Sequence, residues 1–143
     1  MGKTVSVEVT PLSRALDRVG DRWTLLVVDA LLNGPKKFGE LSEAVEGIAP
    51  NILTARLRQL EREGLVVSTP YSRRPLRMAY ELTRAGHELG DALAQLAAWG
   101  ARTEGLPAPR HHEVCGTALE LRPWCPTCER AVEEVEDSEL RWA

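Results

Sequence analysis

The spacing of apolar residues changes twice along this chain, and those changes restrict what it can fold into. Before Gly64 apolar residues recur at helical intervals, from Leu65 to Leu82 they alternate, and beyond Thr83 the helical interval returns. Leu12, Leu16, Val19, Trp23, Leu26, Val27 and Leu31 lie on one such pattern, interrupted by Gly20-Asp21. This predicts a short helix, a kink, and a second helix from about Arg22 to Leu32 that ends at Asn33-Gly34-Pro35. Phe38 to Val45 reads as a short helix with Phe38, Leu41 and Val45 inward. Asn51 to Glu63 is a strong helix stopped by Gly64, with Pro50 suited to the first turn and Leu53, Leu57 and Leu60 as its buried stripe. Leu65 to Thr69 and Arg77 to Leu82 read as strands joined by an arginine-bearing loop, Pro70 to Pro75. A long helix then runs from Thr83 to about Ala101, with Leu89, Leu93, Leu96 and Trp99 on one face.

Helix, short helix, turn, helix, strand, basic loop, strand, helix is the order of a winged helix-turn-helix, mainly α with a small β-hairpin. In such motifs the second helix enters the major groove of DNA while the first crosses the backbone. Gly105 to Pro109 is rich in Gly and Pro and reads as a linker. The expected organisation is a winged helix domain over 1–104, a linker over 105–110, and a small C-terminal segment over 111–143, whose cysteines and histidines suggest that a metal stabilises it. No internal repeat is visible.

Charge is divided along the same line. The net charge of −3 argues against nucleic acid only if it is evenly spread. Residues 1–103 hold fourteen Lys and Arg against twelve Asp and Glu, whereas 104–143 hold four against nine. An acidic tail, ending in the stretch Glu129 to Glu139, thus masks a mildly basic body. Lys36, Lys37, Arg56, Arg58, Arg62, Arg73, Arg74 and Arg77 crowd into one stretch of that body.

At 100° per residue, Asn51, Thr54, Ala55, Arg58 and Arg62 lie opposite the leucine stripe of the 51–63 helix. Arginine pairs with guanine, asparagine with adenine, and small apolar groups meet the thymine methyl, so this face suits base edges. Arg56 lies to the side, placed for a phosphate or for packing beside the wing. Arg73 and Arg74 in the loop, with Arg77 beside them, suit flanking phosphates or a minor groove, and Lys36-Lys37 add a further phosphate contact. A plain amphipathic helix with a solvated outer face is the competing reading of the helix alone.

All three cysteines lie in the tail. His112, Cys115, Cys125 and Cys128 form two pairs of equal separation, H-x2-C and C-x2-C, which fits a tetrahedral structural zinc. His111 is the alternative to His112. A reversible Cys125–Cys128 disulfide and unliganded thiols are the competing readings.

The run from Val19 through Val66, with Gly20-x-x-Trp23, Gly34-Pro35, Phe38, Leu41, Leu53-Thr54-x-Arg56-Leu57-x-x-Leu60 and Gly64-Leu65-Val66, followed by Pro75 and Tyr80-Glu81-Leu82-Thr83, resembles the HxlR family of bacterial winged helix regulators. The resemblance covers about residues 10–100. It implies a homodimer built from N- and C-terminal helices, binding a palindromic operator and repressing or activating nearby genes. Many members carry a Cys-Pro pair before the first helix, and some sense oxidants or electrophiles with it. Here the pair is Thr10-Pro11, so no redox switch is available at that position.

The expected function is sequence-specific transcriptional regulation, as a repressor, on double-stranded DNA. The alternative is a metal- or redox-responsive repressor whose Cys/His tail is the sensor. An oxidoreductase built on Cys125-x-x-Cys128 would need a βαβ sheet that the tail does not offer, so no enzyme is expected. With no apolar run near membrane-spanning length and no apolar leader in MGKTVSVEVTP, a cytoplasmic location is expected.

Overall fold

The computed structural model describes residues 9–132. These fall into two compact units, Met1–Leu93 and Ala94–Ala143, of which the described parts are taken in turn.

In the first unit, α1 (Pro11–Val19) begins at Thr10, whose hydroxyl accepts from Ser13 N at 3.1 Å, with Pro11 in the first turn. Gly20 ends it, donating its N–H to the Leu16 carbonyl at 2.7 Å. A Cβ on Gly20 would fall 2.4 Å from that same oxygen, so the close turn between the helices requires glycine. Asp21 then caps α2 (Arg22–Leu31), accepting from Trp23 N and Thr24 N at 3.0 and 3.1 Å. The expected break at Gly20-Asp21 is thus a back-to-back C-cap and N-cap.

Lys36–Lys37 form a short strand, β1, followed by α3 (Phe38–Ala44), α4 (Pro50–Arg62), β2 (Val66–Arg73), β3 (Leu76–Leu82) and α5 (Arg84–Glu104). The wing is therefore a three-stranded antiparallel sheet in the order β1-β3-β2, and not the two-stranded hairpin the spacing suggests. Lys36 pairs with Tyr80 and Lys37 with Ala79. A two-residue strand is too short to leave an alternating pattern, which is why it is illegible in sequence. β2 also runs on through the expected loop as far as Arg73, with a bulge between Pro70 and Ser72 that sets Tyr71 outside the ladder.

The core of this unit gathers Val27, Val28 and Leu31 of α2, Leu41 of α3, Leu53, Leu57 and Leu60 of α4, and Val66 and Leu82 of the sheet. Leu89 and Leu93 of α5 pack against it. Thr83 fixes where α5 starts: its hydroxyl donates to the Gly64 carbonyl at 2.7 Å and accepts from Gly86 N at 3.1 Å.

In the second unit, the C-terminal part of α5 stays with the tail, where Gln95 Nε2 donates to the Leu121 carbonyl at 3.2 Å. The division of the chain accordingly falls inside α5, upstream of the Gly105–Pro109 linker. The tail contains an isolated bridge, His111 to Ala118, and two short antiparallel strands, β4 (Trp124–Cys125) and β5 (Arg130–Ala131). The acidic stretch is described only as far as residue 132; the rest lies outside the described residues. Among the described residues, no helix is long and apolar enough to cross a membrane.

Candidate nucleic-acid interface

The α4 helix is held from behind by ion pairs and presents its other face outward. Arg56 Nη2 donates to Asp21 Oδ2 at 3.1 Å, its Nε lies 2.9 Å from Asp21 Oδ1 without the angle of a hydrogen bond, and Nη1 donates to Gln59 Oε1 at 3.2 Å. At the helix end, Arg18 Nε donates to Glu63 Oε2 at 2.6 Å, and Gln59 Nε2 donates to the Arg18 carbonyl at 2.9 Å. α4 is thereby anchored to both α1 and α2.

These contacts sort the cations that sequence grouped together. Arg56, expected beside the base-reading face, is instead half-buried and spent on Asp21 and Gln59. Its sideways position on the helix points it at α2. Arg58, Arg62, Arg73, Arg74 and Arg77 are exposed, and no ion pair among the described residues engages them. On α4, Asn51, Ala55 and Arg58 are exposed. Thr54 is half-buried, and its hydroxyl donates back to the Pro50 carbonyl at 2.9 Å. No side chain caps the N-terminus of α4, so its first amides stay open beside Asn51.

The wing stands beside this face. Tyr80 of β3 is half-buried; burial pushes its phenol above the ordinary range, the Glu61 carboxylate adds to the rise, and the Arg58 guanidinium opposes it. Arg58 therefore lies within electrostatic reach of the sheet. Ser68 of β2 donates to Glu61, tying the sheet to α4 a second time. Lys36 and Lys37 belong to this sheet edge, Lys36 half-buried and Lys37 exposed. The Lys37 ammonium sits 4.7 Å above the ring of Tyr71, the bulge residue. Sequence reading passed over Tyr71 because only the bulge frees it to meet Lys37. Tyr71 also borders a shallow groove with Phe38, Leu76 and Met78. Arg73 and Arg74 are at the hairpin tip, and Arg77 pairs with Ser72 across the ladder.

The tail brings its ligand candidates together in pairs. His112 Nδ1 lies 3.3 Å from Cys115 Sγ, and Cys128 N donates to Cys125 Sγ at 3.4 Å. The Thr117 hydroxyl and backbone hold the Cys115 thiol below its usual range, and amides at Cys128 and Thr127 do the same for Cys125. Among the described residues, no three His, Cys, Asp or Glu side chains converge on a point fit for a metal.

Three helices closed by a three-stranded wing, with α4 outward between exposed cations, define a winged helix-turn-helix. The HxlR-like helix-turn-helix family model matches residues 18–105, and the chain belongs to that family. It is 40% identical over 121 residues to an uncharacterized HTH-type transcriptional regulator of Mycobacterium tuberculosis, covering 82% of this chain and 76% of that one. The solved structure of the HTH-type transcriptional regulator ytcD is similar with a TM-score of 0.63 and 30% identity, covering 68% of this chain and 99% of that one. The redox regulator HypR in its reduced form is similar with a TM-score of 0.62 and 29% identity, covering 66% and 94%. The chain is thus a DNA-binding transcriptional regulator of helix-turn-helix type.

Proposed function

We propose that the protein represses transcription as a homodimer on a palindromic operator, with α4 of each copy in successive major grooves. The observation that carries this reading is the division of the basic residues. Arg56 and Arg18 are consumed internally, while Arg58 on α4 and Arg73, Arg74 and Arg77 on the wing are left exposed with no carboxylate partner among the described residues. Asn51, Thr54, Ala55 and Arg58 read base edges, whereas Lys36, Lys37 and the wing arginines hold phosphates or a flanking minor groove. Exposed apolar side chains support the dimer: Leu12 and Leu16 on α1 are 67% and 52% exposed, and Leu96 and Trp99 on α5 are 54% and 59% exposed. A second copy would cover them. Selection of bound sequences from random duplexes tests the reading, because it reports binding, two-fold symmetry and half-site spacing together. Recovery of asymmetric sites, or of none, overturns it.

A second reading, in which the tail senses metal or oxidant, is favoured by one observation. The chain's three thiols all lie in the second unit, and two of them are held toward the thiolate. The similarity to the redox regulator HypR agrees with it. Operator affinity measured before and after thiol oxidation distinguishes the two readings.

A further inference from the structure

The tail contains the same local turn twice. Leu119 N donates to the Arg110 carbonyl at 2.9 Å, and thirteen residues on Val132 N donates to the Pro123 carbonyl at 2.9 Å. His111 bridges Ala118, and at the same offset Trp124 pairs with Ala131. Within each turn the two candidate ligands are three residues apart, His112 with Cys115 and Cys125 with Cys128. The residue after the second ligand has left-handed backbone in both, Gly116 at φ 70° and Glu129 at φ 51°. Glu129 is the only non-glycine residue with positive φ among the described residues. A side-chain-bearing residue rarely adopts that conformation without a geometric reason. Sequence comparison misses the repeat because only Cys115/Cys128 and Ala118/Ala131 are identical within it.

Among the described residues, no buried apolar side chain of the tail holds these turns in shape. Of residues 106–132 none is buried, and Val114 and Trp124 are 87% and 62% exposed. A segment with so little core that still keeps two matched ligand turns has the construction of one ordered by a metal ion.

We propose that the two turns close on each other around a single zinc ion, ligated by His112, Cys115, Cys125 and Cys128. Three thiolates and an imidazole make a closed tetrahedral set, each thiol giving up its proton as it binds. No three of these side chains converge in the structure, so the site forms by bringing the two hairpins together. It has no open position, and its role is to fold the tail.

The test uses the full-length protein, purified in chelator-free buffer, with zinc and protein quantified in the same sample. One zinc per chain is expected, released in step with modification of the three thiols by a mercurial reagent. Replacement by cobalt should give thiolate charge-transfer absorption and the strong visible bands of a tetrahedral site. Cys115→Ser, Cys125→Ser, Cys128→Ser and His112→Ala should each lose or shift those bands, while His111→Ala should keep them. The wild-type thiol and metal stoichiometry stands even if a variant fails to fold. Protein free of zinc, iron or copper in its place, a Cys125–Cys128 disulfide in fresh protein, or loss of the bands in His111→Ala instead of His112→Ala would overturn the assignment. None of these measurements involves DNA, so they stand or fall apart from the operator reading.

Discussion

Asp21 and Arg56 join the start of one helix to the middle of another: the carboxylate that caps α2 also takes the Arg56 guanidinium of α4. Losing the cap alone costs roughly 1 kcal/mol, and a half-exposed ion pair adds about 0–1 kcal/mol. Asp21→Ala should therefore lower stability by about 1–2 kcal/mol, and Arg56→Ala by less, since it leaves the cap in place. Urea denaturation measures both. The losses should not add in the double variant, because the two side chains share one interaction.

The same pairing sets Arg56 apart in DNA binding. Arg56→Ala should leave the salt dependence of operator affinity unchanged once stability is matched. Arg74→Ala should reduce the slope of log affinity against log salt by roughly one and weaken all sequences alike. Arg58→Ala should cost about 1–3 kcal/mol and relax preference at one base position. Binding isotherms across a salt series and a panel of operator variants separate the three. Equal, sequence-independent losses for Arg58 and Arg74 would mean that α4 does not read bases through Arg58.

Tyr80 offers a spectroscopic check on where Arg58 lies. In a Tyr71→Phe background Tyr80 is the only tyrosine, so ultraviolet titration follows it alone. Its midpoint should lie above that of the unfolded chain, because burial disfavours the phenolate. Arg58→Ala should raise the midpoint further by removing a cation that opposes the shift. The sign for stability follows from the unfolded chain losing this proton first. The contribution is complete below about pH 10, the unfolded value, and is lost as pH rises through the folded value. An unmoved midpoint in Arg58→Ala would place the guanidinium away from the sheet.

Gly86 of α5 lies close against Leu65 and Leu82. A Cβ there would fall 2.2 Å from the Leu65 carbonyl oxygen and 3.0 Å from Leu82 Cδ2. Because the first neighbour is backbone, it cannot swing aside. Gly86→Ala should cost roughly 1–3 kcal/mol through overpacking, despite alanine's better helix propensity. Gly100→Ala, where nothing lies within 4 Å, should be neutral or stabilising. Thermal melts of the two variants make the comparison.

The helices were legible from apolar spacing, and several of their ends from residue type: Gly20-Asp21 between α1 and α2, Pro50 at the start of α4 and Gly64 just beyond its end. What escaped depends on pairing across the chain. Lys36–Lys37 become a strand only because Tyr80 and Ala79 present a ladder to them, and Tyr71 meets Lys37 only because the bulge lifts it out of register. The helical projection sets Arg56 to the side of the base-reading face, but a projection shows angle and not that Asp21 stands at that angle. The repeated tail turn is held in backbone hydrogen bonds and hardly at all in residue identity.

Thr83 has a consequence for how this wing can vary. Its N–H donates to the Leu65 carbonyl at 3.0 Å and its hydroxyl to Gly64, so the chain leaves the core and returns to it within one small knot. The tip from Ser72 to Pro75 lies beyond that knot, past Ser68, which donates to Glu61, and past Tyr71, which meets Lys37. Length, charge and tip sequence can be exchanged there as a cassette, and new flanking-DNA preferences can arise without touching the side chains that keep the three-helix body folded.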